Sequence, residues 1–153
     1  MVATDLTFHG DQELSSGLVD LAVNVRLASP PEWVAEVIAD SINGLGAYPD
    51  AGVATAAIAA HHGVDPAMVL PTAGGAEAFT LIARAGIASR PLIVHPQFTE
   101  PEAALATAGS GPARLVLSAE SGFALDPTLV SSRADLVVVG NPTNPTGVLH
   151  AAD

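Results

Sequence analysis

The sequence of 153 residues contains no cysteine and no lysine, and its five basic side chains are all arginines. Without cysteine, neither a disulfide framework nor a thiolate metal site can form, and a reducing, cytoplasmic environment fits this composition. The formal net charge of -11 leaves no basic surface for nucleic-acid phosphates or for an anionic membrane, which argues against both as partners. The missing lysine excludes any chemistry that depends on a lysine amine of this chain.

Long hydrophobic runs and an amino-terminal targeting pattern are also missing. The longest apolar runs, such as residues 136–139, have the size of a strand and lie far below the roughly 20 residues of a membrane helix. The first ten residues show no basic segment followed by an apolar core, so no signal peptide is expected. With 49% hydrophobic and only 14% charged residues, the chain is predicted to be a soluble, well-buried body.

Short apolar runs alternate with helical patterns along the chain. Apolar spacing predicts helices over 30–42, 51–62, 76–88 and 100–108, the first opened by Ser29-Pro30-Pro31. Runs rich in β-branched residues predict buried strands over 91–95, 113–118 and 135–140, and a strand-like run covers 68–71. Strands that alternate with helices favour an α/β fold with a mostly parallel sheet and flanking helices.

Two loops have the composition of a ligand site. The first, TAGGAEA at 72–78, follows the strand-like run and opens a helix, so its backbone amides are suited to an anion such as phosphate. A plain turn between two elements is the alternative interpretation. The second, GNPTNPTG at 140–147, directly follows a predicted strand and places rigid polar residues where open parallel sheets bind ligands.

These loops resemble two motifs of the fold-type I pyridoxal-phosphate enzymes: NPTNPTG is similar to their asparagine loop, and TAGGAEAF to their phosphate-binding helix start. DLAVNVRLASPP, GLGAYPD and HPQFTEPEAAL agree in order and spacing with the histidinol-phosphate aminotransferase and threonine-phosphate decarboxylase branch. The resemblance covers essentially the whole chain. It implies a partial PLP-transferase large domain, truncated before the Schiff-base lysine, with an amino-terminal arm and helix over 1–45 and the amino-terminal half of the large domain over 46–153.

The resemblance also implies a set of residues that bind pyridoxal 5'-phosphate. Gly75, Ala76 and Glu77 would lie at the cofactor phosphate and hold it mainly through backbone amides. Phe98 would pack on the pyridine face, and Asn144 would donate a hydrogen bond to the 3' oxygen. Without the family match, Phe98 is equally well explained as a core residue.

Three further residues are implied at the subunit boundary and at the substrate. Tyr48 would reach the phosphate of a neighbouring subunit, which implies a homodimer or a higher oligomer. His9 and Asn24 would lie on the side of a small phosphorylated amino-acid substrate. A surface turn for Tyr48 and a terminal position for His9 are the alternatives. The sequence has HGDQ where the family usually has HGGN, and Arg26 where an asparagine is common, so the substrate stays open.

The family's later elements are absent, namely the lysine, the aspartate at the pyridinium nitrogen and the arginine that binds the substrate carboxylate. The chain alone is therefore expected to be inactive, and a complementing carboxy-terminal polypeptide would have to provide them. The complete enzyme would be an aminotransferase, or a lyase that acts as a threonine-phosphate decarboxylase in cobalamin biosynthesis. The rival interpretations are a non-catalytic module that binds phosphate or oligomerises, and a nucleotide-binding α/β domain. The histidines lack the spacing of metal ligands.

Overall fold

The structure is a computed structural model that describes residues 6, 10–13, 15–20 and 26–151. Its contacts divide the chain into two compact units, one within Met1–Phe8 and Thr72–Asp153 and the other within His9–Pro71. The predicted division into 1–45 and 46–153 refers to the domains of the family and stays a prediction. None of the helices in the described ranges has the length and apolarity to cross a membrane.

Two helices form the unit within His9–Pro71. Helix α1 spans Glu32–Ser41 and continues into a 3-10 turn over Ile42–Gly44. Its N-cap is Pro31 and no side chain caps the first turn, so the predicted Ser29 cap and first-turn proline are wrong: the helix begins after both prolines. Helix α2 spans Gly52–His62 and ends at Gly63, which adopts φ 65° and donates its backbone N–H to the last turn. Glycine reaches this left-handed conformation without steric cost, which explains why the helix ends there.

The other unit is an α/β layer built on three parallel strands. Strands β1 (Pro91–His95), β2 (Ala113–Val116) and β3 (Leu136–Val138) lie in the order β2-β1-β3. Leu92 of β1 pairs with Ala113 on one side and with Val137 on the other. Helices α3 (Gly74–Arg84) and α4 (Glu100–Thr107) flank the sheet. The predicted parallel α/β architecture is confirmed.

A small apolar core holds this layer together. Ala83 of α3, Ile93 of β1 and Leu105 of α4 are buried against one another, and Ile93 is fully enclosed. Ala104, Leu136 and Val138 pack against this cluster. Because α3 and α4 meet the sheet through these side chains, the two loops that precede the helices lie at fixed positions relative to the strands.

Two predictions about strands were wrong. Burial was expected for all three strands, but only the central strand β1 is buried, whereas β2 and β3 are largely exposed or half-buried. Within the described residues both are edge strands, since each pairs with β1 alone. The run before residue 72 forms no strand: a 3-10 turn covers Pro66–Met68 and residues 69–71 are irregular. A strand needs a paired neighbour, and none of the described segments provides one for this run.

Candidate functional site

The glycine turn before α3 is held by its own backbone. Gly74 adopts φ 80°, a left-handed conformation that favours glycine. Its N–H donates to the carbonyl of Thr72 at 2.8 Å, and the Thr72 hydroxyl donates to the carbonyl of Gly74 at 3.0 Å. These two bonds reverse the chain immediately before the helix, so that the helix start is exposed at the end of the turn.

The first turn of α3 contains the backbone amides for which an anion site was predicted. Gly75 and Ala76 are too early in the helix to find an acceptor four residues back, so their N–H groups point out of the helix start. The carboxylate of Glu77 accepts a hydrogen bond from the N–H of Ala73, the residue that precedes the helix. The side chain of Glu77 therefore shapes the turn, and Gly75 and Ala76 are left to offer their amides to a ligand.

Phe98 lies beside this helix. Its ring is tilted by 54° against that of Phe79 on α3, with 6.4 Å between the centroids. The ring of Phe79 also covers Gly75, since a Cβ on that glycine would stand 3.5 Å from Phe79 Cε2. Phe98 is 42% exposed, so part of its ring is accessible to a planar ligand.

The loop after β3 is a compact hydrogen-bonded turn around Thr143, which is buried with 7% exposure. Thr143 donates its N–H to the carbonyl of Val148 at 2.8 Å, and its hydroxyl donates to the carbonyl of Gly140 at 2.8 Å. Both Asn-Pro peptide bonds are cis. Gly147 closes the turn with φ 72° and donates its N–H to the Thr143 carbonyl at 2.7 Å.

The two asparagines of this loop have different environments. The Asn141 side chain makes two bonds with the backbone of His150: its amide donates to the carbonyl at 3.2 Å, and its oxygen accepts from the N–H at 2.9 Å. Asn144 is exposed, and within the described residues its side chain has no hydrogen-bond partner. Asn141 therefore stabilises the loop, and Asn144 offers its amide to solvent or to a ligand.

Gln97 connects the Phe98 turn to this loop. Its side chain is buried with 7% exposure, its Nε2 donates to the carbonyl of Val138 at 3.4 Å, and its Oε1 lies 3.4 Å from where a Cβ of Gly140 would stand. Phe98 is thus connected to the start of α3 through Phe79, and to the Asn-Pro loop through its neighbour Gln97. Across the part of the chain that is described, no hydrogen bond joins Asn144 directly to the glycine turn.

For the remaining predicted site residues, the assigned roles stay predictions. Tyr48 belongs to the unit within His9–Pro71 and is 98% exposed. His9 and Asn24 lie outside the described residues. Among the described histidines and carboxylates, no group has the arrangement of a metal site.

A buried ionic cluster next to Phe98 was not predicted. Glu102 of α4 is 5% exposed and accepts hydrogen bonds from Arg114 of β2, while its other oxygen pairs with His95 of β1. The three residues come from three different elements. No spacing in the sequence indicates this cluster, and a carboxylate in the apolar stretch EPEAAL is the only local signal.

Comparison with known proteins gives relatives that are aminotransferases and threonine-phosphate decarboxylases. No family model matches the chain. A histidinol-phosphate aminotransferase of Mycobacterium tuberculosis is 46% identical over 146 residues, which are 94% of this chain and 39% of that protein. A threonine-phosphate decarboxylase of Salmonella typhimurium is 30% identical over 152 residues, which are 96% of this chain and 40% of that protein.

The fold agrees with these relatives. The crystal structure of L-threonine-O-3-phosphate decarboxylase from Porphyromonas gingivalis matches with a TM-score of 0.64 and 28% identity, over 74% of this chain and 34% of that one. The chain spans about 40% of the length of the curated relatives that it matches. The chain is therefore a partial-length homologue of the histidinol-phosphate aminotransferases and threonine-phosphate decarboxylases, and it has the aminotransferase fold over the part that it spans.

Proposed function

We propose that the chain provides the phosphate-binding and ring-binding part of an enzyme that uses pyridoxal 5'-phosphate. The observation that supports this proposal is the ring pair of Phe98 and Phe79, because Phe79 in turn covers Gly75 at the start of α3. The amides of Gly75 and Ala76 would bind the phosphate, and Phe98 would pack on the pyridine ring. Asn144 would donate to the 3' oxygen, and the bound cofactor would supply an electron sink.

The residues present fit the phosphate and the ring of the cofactor, but they do not provide its covalent anchor. The chain has no lysine, and a lysine is the side chain that both holds this cofactor and moves protons at the substrate. We infer that the chain alone binds the cofactor reversibly through the amides, Phe98 and Asn144, and that it has no turnover.

The complete enzyme would transfer an amino group or remove a carboxyl group from a small phosphorylated amino compound. This substrate class is supported by the names of the relatives, which act on histidinol phosphate and threonine phosphate. A threonine-phosphate decarboxylase in cobalamin biosynthesis is the lyase form of the proposal. In either form the protein would act in the cytoplasm.

The proposal includes a partner chain. A second copy is supported by Tyr48, whose side chain is almost completely exposed and available to another subunit. A complementing polypeptide is supported by β3, which has β1 as its one strand partner in the part of the chain that the structure describes, and which exposes Val137 and Val139. An apolar cavity of about 230 Å³ runs along this strand; its lining residues are Phe79, Ile82, Pro101, Leu105 and residues 136–139.

Binding of pyridoxamine 5'-phosphate tests the cofactor site, because this form of the cofactor has no aldehyde and cannot react with the chain's amino terminus. Equilibrium dialysis should show binding of pyridoxamine 5'-phosphate and much weaker binding of pyridoxamine, since the amides recognise the phosphate. Asn144→Ala should weaken binding about fivefold, the effect of one hydrogen bond of about 1 kcal/mol. Asn43→Ala, which removes an exposed asparagine of the other unit, is the matched control.

Equal affinity for pyridoxamine and its phosphate would show that the glycine turn does not bind phosphate. Stabilisation against unfolding by a nucleotide, with none from pyridoxamine 5'-phosphate, would favour the nucleotide-binding alternative.

A further inference from the structure

We propose that Glu102 is a positioning residue for the cofactor ring site: its buried bond to His95 fixes the turn of residues 96–99 and thereby the ring of Phe98. The inference rests on the proposed function for the role of Phe98. It concerns a cluster of ionisable side chains that is separate from the glycine turn and from the Asn-Pro loop.

The bond between His95 and Glu102 closes the turn at its two ends. His95 is the last residue of β1, and Glu102 is the third residue of α4. Their side chains meet at 2.7 Å between Nε2 and Oε2, with 16% of the His95 side chain and 6% of the Glu102 side chain exposed. A backbone hydrogen bond also fixes the position of His95, because the N–H of Leu117 donates to the carbonyl of His95 at 2.7 Å.

The turn so enclosed carries the contacts that join the parts of the site. Gln97 reaches Val138 and Gly140, next to the Asn-Pro loop. Phe98 contacts Phe79 of α3. The next residue, Thr99, donates its hydroxyl to the carbonyl of Leu6 at 3.0 Å. Residues 97–99 therefore each contact a different segment of the chain. A shift of the turn would displace the ring from the helix that bears the phosphate amides.

Arg114 explains how a carboxylate is accommodated at this buried position. Its Nε donates to Glu102 Oε1 at 2.7 Å, and one of its terminal nitrogens lies 2.5 Å from the same oxygen. A buried carboxylate is tolerated when it is paired and hydrogen-bonded. Each oxygen of Glu102 has its own partner, so Arg114 compensates the charge while His95 determines where the turn begins.

Fluorine NMR of the protein labelled with 4-fluorophenylalanine tests the positioning directly, since the chain has only four phenylalanines. Resonances can be assigned from single Phe→Tyr variants. In Glu102→Gln, the resonances of Phe98 and Phe79 should move towards their values in denaturant, while the far-UV circular dichroism remains that of the folded chain. Glu120→Gln, which makes the same chemical change at an exposed carboxylate, should leave all four resonances in place.

His95→Leu is the second variant. It removes the hydrogen bond between His95 and Glu102 and keeps the ion pair of Glu102 with Arg114. It should displace the same two resonances. Unchanged Phe98 and Phe79 resonances in folded Glu102→Gln and His95→Leu would overturn the proposal. Loss of the whole fold in both variants would overturn it as well, because the cluster would then support the domain and not the turn.

Cofactor binding separates this inference from the proposed function. Displacement of Phe98 should weaken the binding of pyridoxamine 5'-phosphate roughly two- to tenfold, the range expected for one aromatic stacking contact. If the unmodified chain does not bind pyridoxamine 5'-phosphate, the proposed function fails, while the fluorine result still decides the positioning role. If Glu102→Gln displaces the ring and leaves the affinity unchanged, Glu102 positions Phe98 but has no part in cofactor binding, and the proposal is overturned in that respect.

Discussion

Gly74 and Gly75 are adjacent and yet differ in what their backbones require. Gly74 has φ 80°, and a Cβ there would meet no atom within 4 Å, so Gly74→Ala is unfavourable only through its backbone conformation. It should lower the free energy of unfolding by about 1–2 kcal/mol. Gly75 is helical, and a Cβ there makes an ordinary contact with Phe79, so Gly75→Ala should raise the free energy of unfolding by roughly 0.5–1 kcal/mol.

Urea unfolding followed by circular dichroism measures both changes, and each variant is the control for the other because the same methyl group is added one residue apart. A loss of stability of the same size in both variants would contradict the assigned turn geometry. The sequence predicted a tight glycine turn here, but it did not distinguish the two positions. Only the left-handed φ of Gly74 does so.

Asp135 joins two elements at the amino end of the sheet. Its carboxylate accepts hydrogen bonds from the N–H of Arg90 at 2.7 Å and from the N–H of Ser89 at 3.0 Å, and the Arg90 guanidinium lies 3.8 Å away. The Arg90 N–H is the main cause that lowers the pKa of Asp135 below its ordinary value of 3.8, against the opposing effect of burial. The start of β3 is in this way tied to the start of β1.

This lowered pKa predicts how stability changes in acid. The folded state holds the charged carboxylate more favourably than the unfolded state, so the stabilisation is complete above the unfolded pKa of 3.8. It is lost as the pH falls through the lower folded pKa. Asp135→Asn should therefore be less stable than the unmodified chain at neutral pH, and the difference should vanish in acid below the folded pKa.

Urea unfolding over a pH series checks this expectation. Asp40→Asn removes the same single charge from an exposed position on α1 and controls for the change in net charge. A stability difference for Asp135→Asn that persists unchanged into acid would show that the carboxylate acts through packing and not through its charge.

At the scale of the whole molecule, the described residues include few large buried side chains. Ile93 is the largest fully buried one among them, whereas Trp33, Leu45, Tyr48 and Val116 are among many exposed ones. We propose that a partner polypeptide covers part of this exposed apolar surface. The relatives are about two and a half times as long, since the chain covers 39% of one and 40% of another.

We predict that a second polypeptide restores activity. The part of the Mycobacterium tuberculosis relative that this chain does not match, supplied as a separate polypeptide, should associate with the chain. The complex should convert a phosphorylated amino substrate in the presence of pyridoxal 5'-phosphate, because the added polypeptide would provide a lysine. Turnover by the complex and none by either polypeptide alone is the measurement.

Val137→Lys should weaken the association, because it places a charge on the open edge strand β3, where Val137 is 39% exposed. Val116→Lys makes the same change on the opposite edge strand, β2, and should have less effect. Association without turnover would favour the non-catalytic interaction module. Association unaffected by Val137→Lys would show that the partner binds elsewhere.

Local patterns in the sequence determined which elements exist and in what order. The spacing of apolar residues located α1 to α4 within a few residues, and β-branched runs located all three strands, because periodicity is a property of neighbouring residues. Glycine and proline located the two site loops for the same reason. The run 68–71 is the exception: its composition suits a strand, but a strand also needs a neighbour to pair with.

Tertiary structure decided what these elements do to one another. That Phe98 meets Phe79, that Asn141 is bonded within its loop while Asn144 is not, and that Glu102 pairs with His95 and Arg114 depend on residues from separate segments. The same holds for the exposure of β2 and β3, which follows from the order β2-β1-β3. These features depend on contacts between residues that lie far apart in the sequence. Such contacts leave no periodic pattern in the sequence, so they could not be predicted from it.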